Sequence, residues 1–183
     1  MTDYDIKTDR LGLRNWQEKD IEPATIMNAD KAVREFFPNT LSQQETEDFI
    51  KRMRQHFTMY GYCYFAVDEL ATHKFIGFIG LSNQTFKSEF TPCVDIGWRL
   101  LSTAWGKGYA TEGALACLTF AFTTLNLKEV YAIAPELNLK SQHVMQKIGM
   151  SEYVHFTHPK ISKNNPLKKC IAYRILKLNH KIN

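Results

Sequence analysis

The run Trp105-Gly-Lys-Gly-Tyr-Ala-Thr-Glu112 constrains this chain most, because two alternating glycines stand directly before a long helix-forming stretch. Unpaired amides in the first turn of a helix, with the positive end of its dipole, bind anions, and glycine lets a ligand approach bare backbone. The run is therefore a candidate pyrophosphate cradle, with an ordinary strand-to-helix turn as the alternative. Spacing excludes two familiar loops. A dinucleotide fingerprint counted from Gly106 needs glycine at Gly108 and again at position 111, where Thr111 stands. A Walker loop needs a glycine five places before Gly-Lys-Ser/Thr; Leu101 occupies that place, and Gly108 follows Lys107.

Around this run the periodicity predicts an α+β order. Residues 10–16 alternate like a strand, while residues 18–28 and 43–60 read as helices, the second opened by Ser42 and Glu45 as a capping box. Residues 62–67, 74–81 and 94–101 are rich in aromatic and β-branched side chains, and the polar turns at 68–73 and 82–89 make them an antiparallel meander. Residues 107–125 form a long helix with Ala114, Leu118, Ala121, Phe122 and Leu125 on one apolar stripe. A strand at 129–134, a helix at 138–147 closed by Gly149, and strands at 152–156 and 170–178 complete the order.

At 183 residues with 44% hydrophobic side chains, the chain suits one domain over residues 1–183, burying roughly 70% of its unfolded surface. No apolar span approaches the roughly 18 residues of a membrane helix, and no basic-then-apolar leader opens the chain, so a cytoplasmic location is the expectation. Cys63, Cys93, Cys117 and Cys170 are scattered without a Cys-x-x-Cys pair, and His155-x-x-His158 lacks a third ligand, so no metal is expected. After Glu152 come seven Lys or Arg and no carboxylate, against 16 basic and 19 acidic residues up to that point, a net of −3. The basic tail reads as a solvated face around a final strand, or as attraction for an acidic ligand; nucleic-acid binding lacks the interleaved aromatics it would need.

The pattern that fits the glycine run is Q/R-x-x-G-x-G/A, with Gly108 and Ala110 as its small residues and Trp105 in place of Gln or Arg. In this the chain resembles the GNAT acetyltransferase superfamily, and Trp-Gly-Lys-Gly-Tyr-Ala-Thr-Glu is similar to the variant of its RimJ/RimL-like branch. Further pieces stand in the same order: residues 8–16, Asp95-Ile-Gly-Trp-Arg-Leu100, Asn138-Leu-Lys-Ser141 and Lys147-Ile-Gly-Met150, with Met150 where phenylalanine is usual. The resemblance spans about residues 8–178. It implies an α/β/α-layered GNAT fold with a mixed, mostly antiparallel sheet of about seven strands, splayed at the cofactor site and flanked by about four helices.

What the resemblance implies for function is acetyl-CoA as co-substrate and an amine-bearing acceptor, either a small molecule or a peptide N-terminus, with a homodimer in keeping with the branch. Carried over by position, Trp98, Arg99 and Leu100 offer backbone groups to the pantetheine arm. Trp105, Gly106, Lys107, Gly108, Tyr109, Ala110 and Thr111 wrap the pyrophosphate, with Asn138 and Ser141 beside them. Phe36 and Phe37 are candidates for an acceptor wall, with core packing as the alternative, and Phe156 and His158 for the opposite wall.

Direct attack of an amine on a thioester requires a base, an oxyanion donor and a proton for the departing thiolate. Many superfamily members supply that proton from a tyrosine seven places after the motif asparagine; here that place holds Met145, leaving Ser141 as the candidate hydroxyl. For the base, Asp95 stands where the branch often has a carboxylate, with Glu136 or a water chain as alternatives. Strict alternation puts Asp95, Gly97 and Arg99 on one face, which admits an Asp95–Arg99 ion pair instead. Met145 also keeps open a relative that binds acetyl-CoA without turning it over, and the basic tail a partner- or nucleic-acid-binding module.

Overall fold

Alternation along the strands sorts the side chains onto two faces of one sheet, and each face is covered by helices. The computed structural model describes residues 4–180. Its strands are β1 (Ile6–Lys7), β2 (Leu11–Arg14), β3 (Tyr64–Glu69), β4 (Lys74–Gln84), β5 (Cys93–Leu100), β6 (Glu129–Pro135), β7 (Ser151–Thr157) and β8 (Lys169–Leu176). They lie in the order β1-β2-β3-β4-β5-β6-β8-β7, antiparallel throughout except for β5 against β6. Helices α1 (Ile21–Ala29), α2 (Gln43–Tyr60), α3 (Tyr109–Thr123) and α4 (Leu139–Lys147) complete the α+β fold.

One face carries Leu13, Phe65, Val67, Ile79, Leu81 and Ile96, in register across β2 to β5. Helix α3 lies on it so closely that a Cβ added at Gly113 would come 2.5 Å from Ile79. Met145 of α4 is buried in the same apolar core. The other face carries Arg14, Tyr64, Asp68, Phe78, Asp95 and Arg99. Phe49 of α2 closes over it at 5.3 Å from Phe78 and 5.7 Å from Trp16.

Local chemistry sets the helix ends. Ser42 Oγ accepts from the Glu45 amide at 3.3 Å while Glu45 accepts from the Ser42 amide at 2.8 Å, the capping box read from the sequence and worth about 1 kcal/mol. Helix α3 starts at Tyr109 rather than 107 because Gly106 and Gly108 both take positive φ, 74° and 81°, which no helix can include. Strand β4 runs on to Gln84, through residues expected as a turn, because Ser82, Asn83 and Gln84 keep ladder partners in Asp95, Val94 and Cys93. The two-residue β1 brings the sheet to eight strands, one more than about seven.

The site-forming feature is the junction of β5 and β6. These parallel neighbours meet at one position, Asp95 opposite Tyr131, and separate beyond it. The edge of β5 from Ile96 to Arg99 thus faces no strand, and its backbone groups remain for another partner.

Candidate active site

The glycine run forms a ring of open amides at the mouth of this fork. The N–H groups of Gly106, Lys107, Gly108, Tyr109, Ala110 and Thr111 find no acceptor among the described residues; helical bonding starts only with Glu112 donating to Gly108. The loop is held from behind. Arg10 donates to the Lys107 carbonyl at 2.9 Å and to Glu112 at 2.6 Å, and Thr8 donates to Glu112 at 2.6 Å. These bonds and Arg10 itself lower the Glu112 carboxyl against the opposing effect of burial. The Tyr109 ring turns away, donating its hydroxyl to Glu69, so only its amide belongs to the cradle. Trp105 donates to the Leu100 carbonyl at 2.9 Å and carries Lys140 over its ring at 5.3 Å. That engages the Leu100 carbonyl, while Trp98 points to the α3 face and Arg99 to the opposite one.

Across the fork, Asn138 accepts from the Ser141 amide at 3.1 Å and caps α4. The Ser141 hydroxyl has no protein partner among the described residues. Met145, 2% exposed, packs in the core and places no hydroxyl at the fork.

Asp95 sits at the point of the fork, 7% exposed. Its Oδ1 accepts from Tyr64 at 2.7 Å and Gln84 at 3.0 Å, while Oδ2 has no side-chain partner among the described residues. Burial raises its carboxyl to about 6, against the opposing effect of the two hydrogen bonds. Strand parity holds through β5 and puts Asp95 and Arg99 on one face, yet they form no ion pair. Arg99 instead donates to Asn28 of α1 at 2.9 Å. Between them the Tyr64 ring lies on Gly97, where an added Cβ would come 3.1 Å from it, so glycine makes room for Tyr64. Glu136, the alternative base, holds His155 at 2.6 Å.

Residues 28–41 fold back over this face, closed by Leu41 donating to the Asn28 carbonyl at 3.0 Å and tied to the end of β5 by Ser102 donating to Asp30 at 3.0 Å. Phe36 is half-buried there. Phe37 is 38% exposed and stacks on Arg99, with 4.1 Å from guanidinium to ring centroid, so it is not part of the core. Phe156 and His158, the candidates for the opposite wall, join Phe86, which stacks on Phe156 at 6.0 Å and meets His158 at 4.7 Å.

A family model described as an acetyltransferase (GNAT) domain matches residues 10–151. The chain belongs to the GNAT acetyltransferase family. It is an acyltransferase, and GNAT acetyltransferases use acetyl-CoA as acyl donor. The chain is 26% identical to YkkB of Bacillus subtilis (strain 168) over 148 residues, 79% of this chain and 84% of that protein. It is 33% identical over 79 residues, 42% of each chain, to the spermidine N(1)-acetyltransferase of Escherichia coli (strain K12). The solved structure of a GNAT-family acetyltransferase from Bacillus anthracis superposes with a TM-score of 0.78 at 26% identity, covering 94% of this chain and 98% of that one.

In this GNAT fold the cradle, Asn138, Ser141 and Asp95 come together at one fork. Sequence reasoning missed the Arg10 latch, the Tyr64–Gln84 grip on Asp95, and Arg34, whose guanidinium lies 4.3 Å from the Phe37 centroid. Alternation in residues 62–67 could have put Tyr64 on the Asp95 face, but nothing local marks Arg34. Among the described residues no group of His, Cys, Asp and Glu side chains could hold a metal, and no helix is long and apolar enough to cross a membrane.

Proposed function

We propose that this GNAT protein, of the RimJ/RimL-like branch, transfers the acetyl group of acetyl-CoA to a primary amine by direct attack on the thioester. The observation that carries the reading is the row of open amides from Gly106 to Thr111 beside a fork joined at one position. Those amides suit a pyrophosphate, with Lys107 adding charge, and the free edge of β5 at Trp98 and Arg99 suits the amide-bearing pantetheine arm. Four cysteines without disulfides suit a cytoplasmic enzyme.

Asp95 supports turnover rather than binding alone. A carboxyl near 6 is largely ionised at neutral pH, yet basic enough to take a proton from the acceptor ammonium, directly or through water. The neutral amine attacks the thioester carbon, a C–N bond forms, the C–S bond breaks, and the departing thiolate takes a proton. With Met145 in the core, the Ser141 hydroxyl is the donor that supports this last step. No covalent enzyme intermediate is needed.

Calorimetric titration with acetyl-CoA, followed by thiol release over a panel of amines, tests the reading. Saturable binding is expected, weakened at least tenfold in a folded Gly108→Val variant, whose φ of 81° strains any side chain there. Unchanged affinity in that variant would refute the cradle, and absence of binding in the unaltered protein would refute the acetyl-CoA reading.

A further inference from the structure

We propose that the acceptor amine also carries a carboxylate, and that Arg34 and Arg99 hold it beside Phe37. The proposal rests on the amine acetyltransferase reading and names the substrate class of that site.

Two guanidiniums share the Phe37 ring here without an ion pair, Glu45 acting on Arg34 only from a distance. Both lie over the Phe37 ring, Arg34 at 4.3 Å and Arg99 at 4.1 Å from its centroid, and Arg99 also faces Phe78 at 5.0 Å. Neither lies within 4.0 Å of a carboxylate among the described residues. Arg34 is 9% exposed and makes one hydrogen bond, from Nε to the Asn39 carbonyl at 2.8 Å. Arg99 makes one, from Nη1 to Asn28, and its buried Nε is the orphan polar atom among the described side chains. Burial, and then the charge of Arg34, push the Arg99 guanidinium down to about 9. A buried donor without a partner, Arg99 Nε, set beside a like charge is costly to hold unless an anion joins the pair.

The anion belongs to the acceptor rather than to CoA. Arg99 shares its sheet face with Asp95, Tyr64 and Phe78, whereas α3, whose first turn forms the cradle, packs on the opposite face against Ile79. Forked, planar guanidiniums favour a planar carboxylate, and a polyamine acceptor would bring cations toward two arginines. Along β5, Asp95 and Arg99 stand four residues apart, about 13 Å between Cα atoms before the side chains reach inward. One molecule passing over the Tyr64 ring, which lies on Gly97 between them, can therefore present its amine toward Asp95 and its carboxylate toward Arg99 beside Phe37.

The test compares thiol release on matched acceptors: amino acids against the amines left by their decarboxylation, peptides against their C-terminal amides, and phosphoethanolamine against ethanolamine, with spermidine alongside. The carboxylate-bearing partner of the amino-acid or the peptide pair should have a kcat/KM about ten- to hundredfold higher. Which pair shows it tells a free amino acid from a peptide end. Arg34→Gln and Arg99→Gln, each checked by thermal melting, should bring that ratio close to one. Equal rates within both carboxylate pairs, or a preference for spermidine or phosphoethanolamine, overturn the proposal, as does a ratio unchanged in both variants. Calorimetry of the CoA-loaded protein with the acetylated products of whichever pair shows the preference (N-acetylleucine against N-(3-methylbutyl)acetamide for the amino-acid pair, an N-acetylated peptide against its C-terminal amide for the peptide pair) reads the same preference without turnover, and equal affinities there also overturn it. Failure of acetyl-CoA to bind would strike the parent reading; bound acetyl-CoA with no carboxylate preference strikes this proposal alone.

Discussion

Two arginines on the same sheet face, Arg14 buried and Arg99 half-buried, have opposite surroundings. Arg14, 2% exposed, spends its donors in five hydrogen bonds: two to Asp68 at 2.8 Å, two to Asp20 at 2.7 and 2.8 Å, and one to the Asn15 carbonyl at 3.2 Å. Burial alone would lower its guanidinium, but the bonds and charges of Asp20 and Asp68 outweigh that and raise it. Arg99 has one hydrogen bond, an orphan Nε and a like charge for a neighbour. The buried carboxylates divide the same way, since Asp20 and Asp68 meet a cation while Asp95 meets a tyrosine and a glutamine. One end of the face is closed on itself and holds the fold together; the other is left incomplete by the protein and is where a ligand completes it.

Breaking the closed end should cost most. Arg14→Met strands two buried carboxylates, and denaturant unfolding at pH 7 should show a loss of about 3–5 kcal/mol. A loss below about 1 kcal/mol would mean that the two ends are alike.

Asp95→Asn tests the open end, through activity. It should lower kcat/KM by about 10²- to 10⁴-fold. In the unaltered enzyme kcat/KM should rise with pH through about 6, as Asp95 ionises, and this limb should be missing in the variant. The stability sign runs the other way. A carboxyl raised from 3.8 to about 6 binds its proton more tightly when folded, so its contribution to stability is lost as pH rises between those values. Asp95→Asn should therefore be the more stable protein at pH 8, and equal or lower stability there would show that the carboxylate is well compensated.

The smallest expected effect sharpens the comparison. Arg99→Met removes a charge without a carboxylate partner and keeps apolar contact with Phe37 and Phe78, so stability should stay within about 1 kcal/mol of the unaltered protein or rise. A loss as large as that of Arg14→Met would make Arg99 part of the closed end.

How much of this was legible in the chain follows from distance along it. The glycine turn before α3, the Ser42–Glu45 box and the Asn138 cap are each written within a few residues, so spacing sufficed for them. The parity of Asp95 and Arg99 was equally local, but their partners were not. Arg99 meets Asn28 across 71 residues and Arg10 meets Glu112 across 102, so nothing beside either arginine tells which finds a carboxylate. Arg34 stood unmarked because its role exists only once residues 28–41 fold back over β5. The end of β4 was misjudged for the same reason, since polar Ser82 to Gln84 are held in the strand by partners on β5.

The single ladder pairing between β5 and β6 is a seam in an otherwise continuous sheet. A ligand of one strand's width laid into it works as a strut, restoring the missing rungs and bracing one half of the sheet against the other. Melting temperature then becomes a gauge of occupancy, because each tenfold rise in ligand above its Kd adds about 1.4 kcal/mol to the folded state. A molecule built this way signals what it has bound by how much heat it withstands.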